Sequence, residues 1–169
     1  MVKKNSCVFI SGKGSNLENL IKKSREYSFP INITSVVTNN NNAAGIRYAK
    51  KYSIPYLIVD TRLRNYEEKI LLFLRRYNIS LICLAGYMKI ISRKFLNKYR
   101  NKIINIHPSL LPKFKGLNTF SRILTKNEKK TGCTVHHVND KLDGGNIIVK
   151  KSFYIKSYDN VNTLKYKTQ

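Results

Sequence analysis

The feature that most limits how this chain can fold is a repeated alternation of short apolar runs with helix-periodic stretches. Cys7-Val8-Phe9-Ile10-Ser11 is an apolar run that ends in Gly12-Lys13-Gly14-Ser15-Asn16, after which Leu17, Leu20 and Ile21 fall at helical spacing. Ile31 to Val37 predicts a second strand, and residues 43–52 a short helix behind the run Asn39-Asn40-Asn41-Asn42. Pro55 to Val59 predicts a third strand, followed by an amphipathic helix over 65–77 with Ile70, Leu71 and Leu74 on its inner side. Leu81-Ile82-Cys83-Leu84-Ala85 is apolar throughout, the mark of a strand buried on both faces. Gly86 to Ile91 leaves the sheet, and Ser92 caps a helix over 93–99. A strand followed each time by a helix is the pattern of an α/β fold with a doubly wound parallel sheet. Further on, a helix is expected around 121–124, and then residues 134–138 and 146–154 read as two strands joined directly by 139–145. The C-terminal part of the sheet should therefore be antiparallel. At 169 residues without repeat or linker, one domain spanning 1–169 is expected.

Composition narrows the function classes. The formal net charge of +23 would ordinarily raise nucleic acid as a partner. Here Lys is spread over the whole chain and accompanied by abundant Asn, Ile and Tyr, all residue types of A/T-rich codons, so nucleic acid is not expected as the partner. Anionic small molecules gain from such a surface by steering. Cys7, Cys83 and Cys133 lie in apolar runs without CxxC or Cys/His spacing, so a reducing, cytoplasmic setting without structural disulfides or a metal is expected. There is no signal-peptide pattern and no apolar run near membrane-spanning length, so no membrane partner is expected.

Three places carry chemistry. In Asn105-Ile106-His107-Pro108-Ser109-Leu110-Leu111-Pro112, Asn105 and His107 stand two apart where the apolar run Ile103-Ile104 ends, so a strand would point both to one face. Pro108 cannot join a sheet ladder and forces the chain out at His107. Ligands of open α/β sheets bind beyond such strand ends. The glycine loop 12–16 lets backbone approach a ligand, and Ser15 or Asn16 can cap a helix whose N–H groups attract an anion. It lacks the Gly-Lys-Ser/Thr ending of a P-loop, and Leu17 stands where a dinucleotide fingerprint needs glycine. Asp143, in Leu142-Asp143-Gly144-Gly145, is the third. His136 and His137 are adjacent on a predicted strand and face opposite ways, one a core or cleft residue and the other a surface one, with no third ligand at metal spacing. Asp140 reads as a turn residue, and Lys126 to Lys130 as a solvated loop.

Asn105-x-His107-Pro108-Ser109-Leu110-Leu111-Pro112 with Leu142-Asp143-Gly144-Gly145 resembles the folate-dependent formyltransferase family. Ile10-Ser11-Gly12-x-Gly14-Ser15-Asn16-Leu17 and Leu84-Ala85-Gly86-Tyr87-Met88 are similar to the branch of that family that formylates glycinamide ribonucleotide in purine biosynthesis. The resemblance runs from about residue 6 to the chain's end in one register. It implies a Rossmann-like fold and a one-carbon transferase whose co-substrate is 10-formyltetrahydrofolate, with no tightly bound cofactor. It also implies small-molecule substrates and a monomer or homodimer.

The resemblance assigns catalysis to Asn105, His107 and Asp143, and the ribonucleotide phosphate to Gly14, Ser15 and Asn16. It lines the folate pocket with Met88, Lys89, Ile90 and Ile91, with Asn105, and with the backbone of 139–143, Asp140 included. Lys89 stands where the family has Arg. Arg62 or Arg64 fills another folate-contacting position, a small length difference leaving both open. At the C-terminus, Thr168-Gln169 falls just before the position of a family Glu that binds the ribonucleotide. The alternatives are a relative using the same site on another acceptor, such as methionyl-tRNA, or an inactive truncated remnant. The loop 12–16 matches the phosphate-binding version, which favours glycinamide ribonucleotide.

Overall fold

The structure, a computed structural model, describes residues 2–168. It divides into two compact units, one running to Ile103 and the other starting at Ile104.

In the first unit β1 (Lys4–Ile10), α1 (Ser15–Ser24), β2 (Ile31–Thr38), α2 (Ile46–Lys51), β3 (Tyr56–Ile58), α3 (Tyr66–Arg76), β4 (Leu81–Leu84) and α4 (Arg93–Lys98) alternate without exception. β1 pairs in parallel with both β2 and β4, and β2 in parallel with β3, giving the order β3-β2-β1-β4. The central place of β1 explains its unbroken apolar run: Cys7, Val8, Phe9 and Ile10 are all fully buried. Leu17 and Ile21 of α1 and Ile70 and Leu74 of α3 are buried as well, each stabilising the fold by roughly 1.5–3 kcal/mol. Burial pushes the Cys7 and Cys83 thiols up to about 12, which leaves them as inert small hydrophobes. Ser92 caps α4 as expected, its Oγ accepting from Phe95 N at 3.0 Å. Glu67 of α3 reinforces the cap, its carboxylate accepting from Ser92 Oγ at 2.6 Å and Ser92 N at 3.3 Å.

The second unit carries most of β5 (Lys102–His107), then α5 (Thr119–Thr125), β6 (Lys130–His137), β7 (Ile147–Tyr154) and α6 (Val161–Thr168). β6 is antiparallel to both β5 and β7. Ile123 of α5 and Leu164 of α6 are fully buried. Parallel strands followed by antiparallel ones make the chain α/β, doubly wound and mostly parallel with an antiparallel C-terminal part, the class that the sequence pattern predicts. Among the described residues no helix is long and apolar enough to cross a membrane.

Two boundaries differ from expectation by three residues or more. The helix expected over 43–52 begins only at Ile46, because Asn40 Oδ1 accepts from Asn42 N at 3.0 Å and holds a turn ahead of it. β6 starts at Lys130 rather than at Thr134, so the solvated loop expected over Lys126 to Lys130 is cut short. Its polar opening residues read as loop, yet Lys130 to Cys133 pair with Tyr154 to Lys151 of β7.

Candidate active site

Three of the side chains singled out in the sequence converge within the second unit. β5 ends at His107, as Pro108 requires, and its period of two sets Asn105 and His107 on one face. Asp143 reaches them from the turn between β6 and β7. Its Oδ2 lies 3.3 Å from His107 Nδ1 and accepts from Gly116 N at 2.8 Å, while Asn105 Nδ2 is 3.5 Å from Oδ1. Asp143 holds a left-handed backbone with φ of 45°, a conformation that Asp tolerates better than most residues. The His107 and Asp143 side chains are only 6% and 9% exposed, so their interaction is little screened by water.

Both ring nitrogens of His107 face acceptors. Its Nε2 lies 2.8 Å from the carbonyl oxygen of Phe114, which can only accept, and its Nδ1 faces a carboxylate, which also accepts. Only an imidazolium serves both partners at once. Burial pushes the Asp143 carboxyl up. The Gly116 N–H that it accepts and the charge of His107 pull the other way, and the carboxyl rests below its ordinary range. The result is an ion pair against one wall of β5.

The turn after β5 is tied to β6. Thr134 Oγ1 accepts from Leu111 N at 3.1 Å and donates to Ser109 O at 2.6 Å, and Ser109 Oγ donates to Lys113 O at 2.7 Å. These bonds carry Phe114 and Gly116 to the ion pair. Neither residue stood out in the sequence, because both act through backbone atoms. Sequence spacing makes one of His136 and His137 a core or cleft residue and the other a surface one; in the structure His136 is the buried one, opposite Asn105 in the β5–β6 register, and it joins the cluster. The signal was available in the alternation of β6, which puts Thr134 and His136 on one face.

The glycine loop lies in the first unit. Gly14, with φ of 77°, is the N-cap of α1, and neither Ser15 nor Asn16 caps it through its side chain, contrary to expectation. The cap position falls on Gly14, which has no side chain to offer. A Cβ at Gly14 would stand 2.5 Å from the Cα of Gly45, and Gly45 N donates to Gly12 O at 2.9 Å, so the two glycines interlock and fix the loop by backbone alone. Gly45 carries no sequence signal of its own, since its role depends on a partner far away in sequence.

In the same unit Met88, Lys89 and Ile90 are exposed, whereas Ile91 is buried and turned into the core. Met88 N donates to Ser11 Oγ at 2.8 Å, which anchors this stretch at the end of β1. Arg62 is held by Asp60, with Arg62 Nη2 2.6 Å from Oδ2, and this pairing draws the Asp60 carboxyl down to about 2. Arg64 is exposed, and Asp140 is an exposed turn residue of the second unit.

An ion-paired imidazolium beside a primary amide, at a strand end, is an arrangement suited to a carbonyl that gains negative charge. Residues 4–169 match the formyl transferase family model, and the chain belongs to that family. Within it, the chain is 36% identical over 172 residues to phosphoribosylglycinamide formyltransferase of Haemophilus influenzae, covering 98% of this chain and 80% of that protein. It is 40% identical over 161 residues to the human trifunctional purine biosynthetic protein adenosine-3, covering 93% of this chain but only 16% of the human protein's length. The solved phosphoribosylglycinamide formyltransferase of Anaplasma phagocytophilum superposes with a TM-score of 0.91 at 39% identity, over 98% of this chain and 79% of that one. That of Brucella melitensis gives 0.92 at 35% identity, over 99% and 88%.

Proposed function

We infer that this chain moves the formyl group of 10-formyltetrahydrofolate to the amine of glycinamide ribonucleotide, a step of purine biosynthesis. The observation that carries the reading is the convergence of Asn105, His107 and Asp143 in one buried cluster, within a family whose similar members bear that name. A match continuous over residues 4–169 supports treating the whole chain as one formyltransferase domain.

The amine nitrogen attacks the formyl carbon, a C–N bond forms, and negative charge builds on the formyl oxygen. The bond from that carbon to N10 of the folate then breaks, and the proton that leaves the amine balances the one that N10 takes up. Donors preorganised at the oxyanion are commonly the largest catalytic term. Asn105 offers an amide N–H whose present bond to Asp143 Oδ1, at 3.5 Å, is at the outer limit and readily exchanged. His107 offers Nε2–H, now on the neutral Phe114 carbonyl; an oxyanion is the stronger acceptor, while Asp143 keeps hold of Nδ1. Asp143 is a catalytic residue by its place in the cluster, and its lowered pKa suits holding the imidazolium better than accepting a proton, since an efficient base has a pKa near the working pH.

For the remaining positions, Gly14, Ser15 and Asn16 bind the phosphate through the unshared N–H groups at the start of α1. Met88, Lys89 and Ile90 offer backbone and exposed apolar surface to the folate, with Ile91 contributing backbone only, and the second unit's own folate contacts are Asn105 and Asp140. Of the two arginines Arg64 takes the folate contact, because Arg62 would first have to leave Asp60. The enzyme is a cytoplasmic monomer or homodimer that holds no resident cofactor.

The test is a product analysis. The purified chain is incubated with 10-formyltetrahydrofolate and either glycinamide ribonucleotide or methionyl-tRNA, and each acceptor is examined by mass spectrometry. Formylation of the ribonucleotide alone is expected; formylation of the tRNA alone, or of neither by a folded chain, would overturn the assignment.

A further inference from the structure

We propose that His136 is a positioning residue that sets which end of the Asn105 amide faces the ion pair and the reacting formyl oxygen. The proposal rests on the formyl-transfer reading of the site.

His136 is fully enclosed, at 2% relative exposure, on the face of β6 that it shares with Thr134, and it stands directly opposite Asn105. Its Nδ1 lies 2.8 Å from the carbonyl oxygen of His137. A carbonyl only accepts, so that nitrogen carries the ring proton. Its Nε2 lies 3.1 Å from Asn105 Nδ2 and 3.6 Å from Asp143 Oδ1. The longer distance is beyond hydrogen bonding and the shorter one is within it. In the neutral ring Nε2 is then an acceptor, with its lone pair aimed at the amide.

The consequence falls on Asn105. With its N–H₂ end toward His136, one hydrogen is anchored on Nε2 and the second is directed at the weakly held Asp143 Oδ1 position, the one an oxyanion can claim. With the amide turned over, its oxygen would face both the Nε2 lone pair and the Asp143 carboxylate, two acceptors in a buried site with no donor between them. The relay runs from the β6 backbone at His137, through the ring of His136, to the amide that meets substrate. His136 itself touches neither substrate in this account.

Replacement by Leu keeps an apolar body of similar bulk and removes the acceptor. Replacement by Gln restores an acceptor near the Nε2 position. For His136→Leu we expect kcat for formyl transfer to fall by about 10²-fold, the scale of a small misplacement of a reacting group, with KM for both substrates moving less than about threefold. His136→Gln should recover most of that loss. A purely structural histidine would lower thermal stability in both variants without splitting kcat from KM, and equal kcat in wild type and His136→Leu would refute the proposal.

Should His136→Leu fail to fold, the wild-type protein decides the matter by ¹⁵N NMR of the histidine ring. A protonated Nδ1 with an unprotonated Nε2 is expected, and the opposite tautomer would overturn the proposal. That readout needs no turnover, so a wild type that does not formylate glycinamide ribonucleotide would defeat the functional reading while leaving the hydrogen-bond assignment independently decided.

Discussion

Replacing Asp143 by Asn isolates what its charge does. The two side chains have the same shape, and both tolerate the left-handed backbone that Asp143 adopts at φ of 45°. Gly116 N–H would still find an amide oxygen at the Oδ2 position, so the turn keeps its anchor. What disappears is the negative charge 3.3 Å from His107 Nδ1. A hydrogen bond to a charged group is worth about 1.5–3 kcal/mol, and removing a buried carboxylate returns part of that through relieved desolvation, so a net stability loss of roughly 1–2 kcal/mol is expected near neutral pH. The catalytic effect should be larger. Without the carboxylate the imidazolium has no counter-charge, one oxyanion donor is lost, and kcat should fall by about 10²–10³-fold, equivalent to ~3–4 kcal/mol.

The pH dependence of the same pair gives an independent check. Asp143 titrates below its ordinary 3.8, so the stabilisation from its charge is fully present above that value and is lost as pH falls through the folded-state value. The stability gap between wild type and Asp143→Asn should therefore close in acid, as pH falls through that folded-state value. Asp143→Ala should be less stable than Asp143→Asn by about 1 kcal/mol, because Ala also bears the left-handed backbone cost. Urea melts at several pH values and steady-state formyl transfer measure all of this. An Asp143→Asn enzyme within fivefold of wild-type kcat, or an Asp143→Ala protein as stable as Asp143→Asn, would refute the reasoning.

Further perturbations probe the supports of the site. Gly14→Ala combines a left-handed φ with a Cβ 2.5 Å from the Gly45 backbone, so a loss of roughly 2–5 kcal/mol in denaturant titration is expected, with a raised KM for the ribonucleotide; a loss under ~0.5 kcal/mol would contradict the interlocked loop. Thr134→Val strands a buried donor at Leu111 and an acceptor at Ser109, which should cost about 2–4 kcal/mol and lower kcat by loosening the turn that carries Phe114 and Gly116; calorimetry and turnover together check it. Ser92→Ala removes the cap of α4 and leaves Glu67 short of its donor, for an expected loss of ~1 kcal/mol that lowers the melting temperature without changing kcat.

The parts of the molecule that follow from local pattern were legible in the sequence. The run from Leu81 to Ala85 could only be a doubly buried strand, and Pro108 fixed the end of β5 at His107 before any tertiary contact was known. Ser92 announced its own helix. What escaped was set by partners distant along the chain. Gly14 and Gly45 make sense only against each other, and Gly14 rather than Ser15 or Asn16 takes the cap position of α1. Lys130 looked like solvated loop because its strand character comes from pairing with Tyr154. In the site, Asn105, His107 and Asp143 could be named from their motifs, but not the backbone atoms of Phe114 and Gly116 that complete them. His136 differs from His137 only by the parity of a strand, and parity has meaning once the register against β5 is known.

The most direct test of the central claim is steady-state formyl transfer from 10-formyltetrahydrofolate to glycinamide ribonucleotide by the wild-type chain and by His107→Ala and Asn105→Ala, each checked for folding by circular dichroism. Each substitution removes a donor at the developing oxyanion, so each folded variant should lose about 10²-fold or more in kcat with modest changes in KM. Folded variants that turn over within a fewfold of wild type would contradict the assignment of this cluster as the formyl-transfer centre.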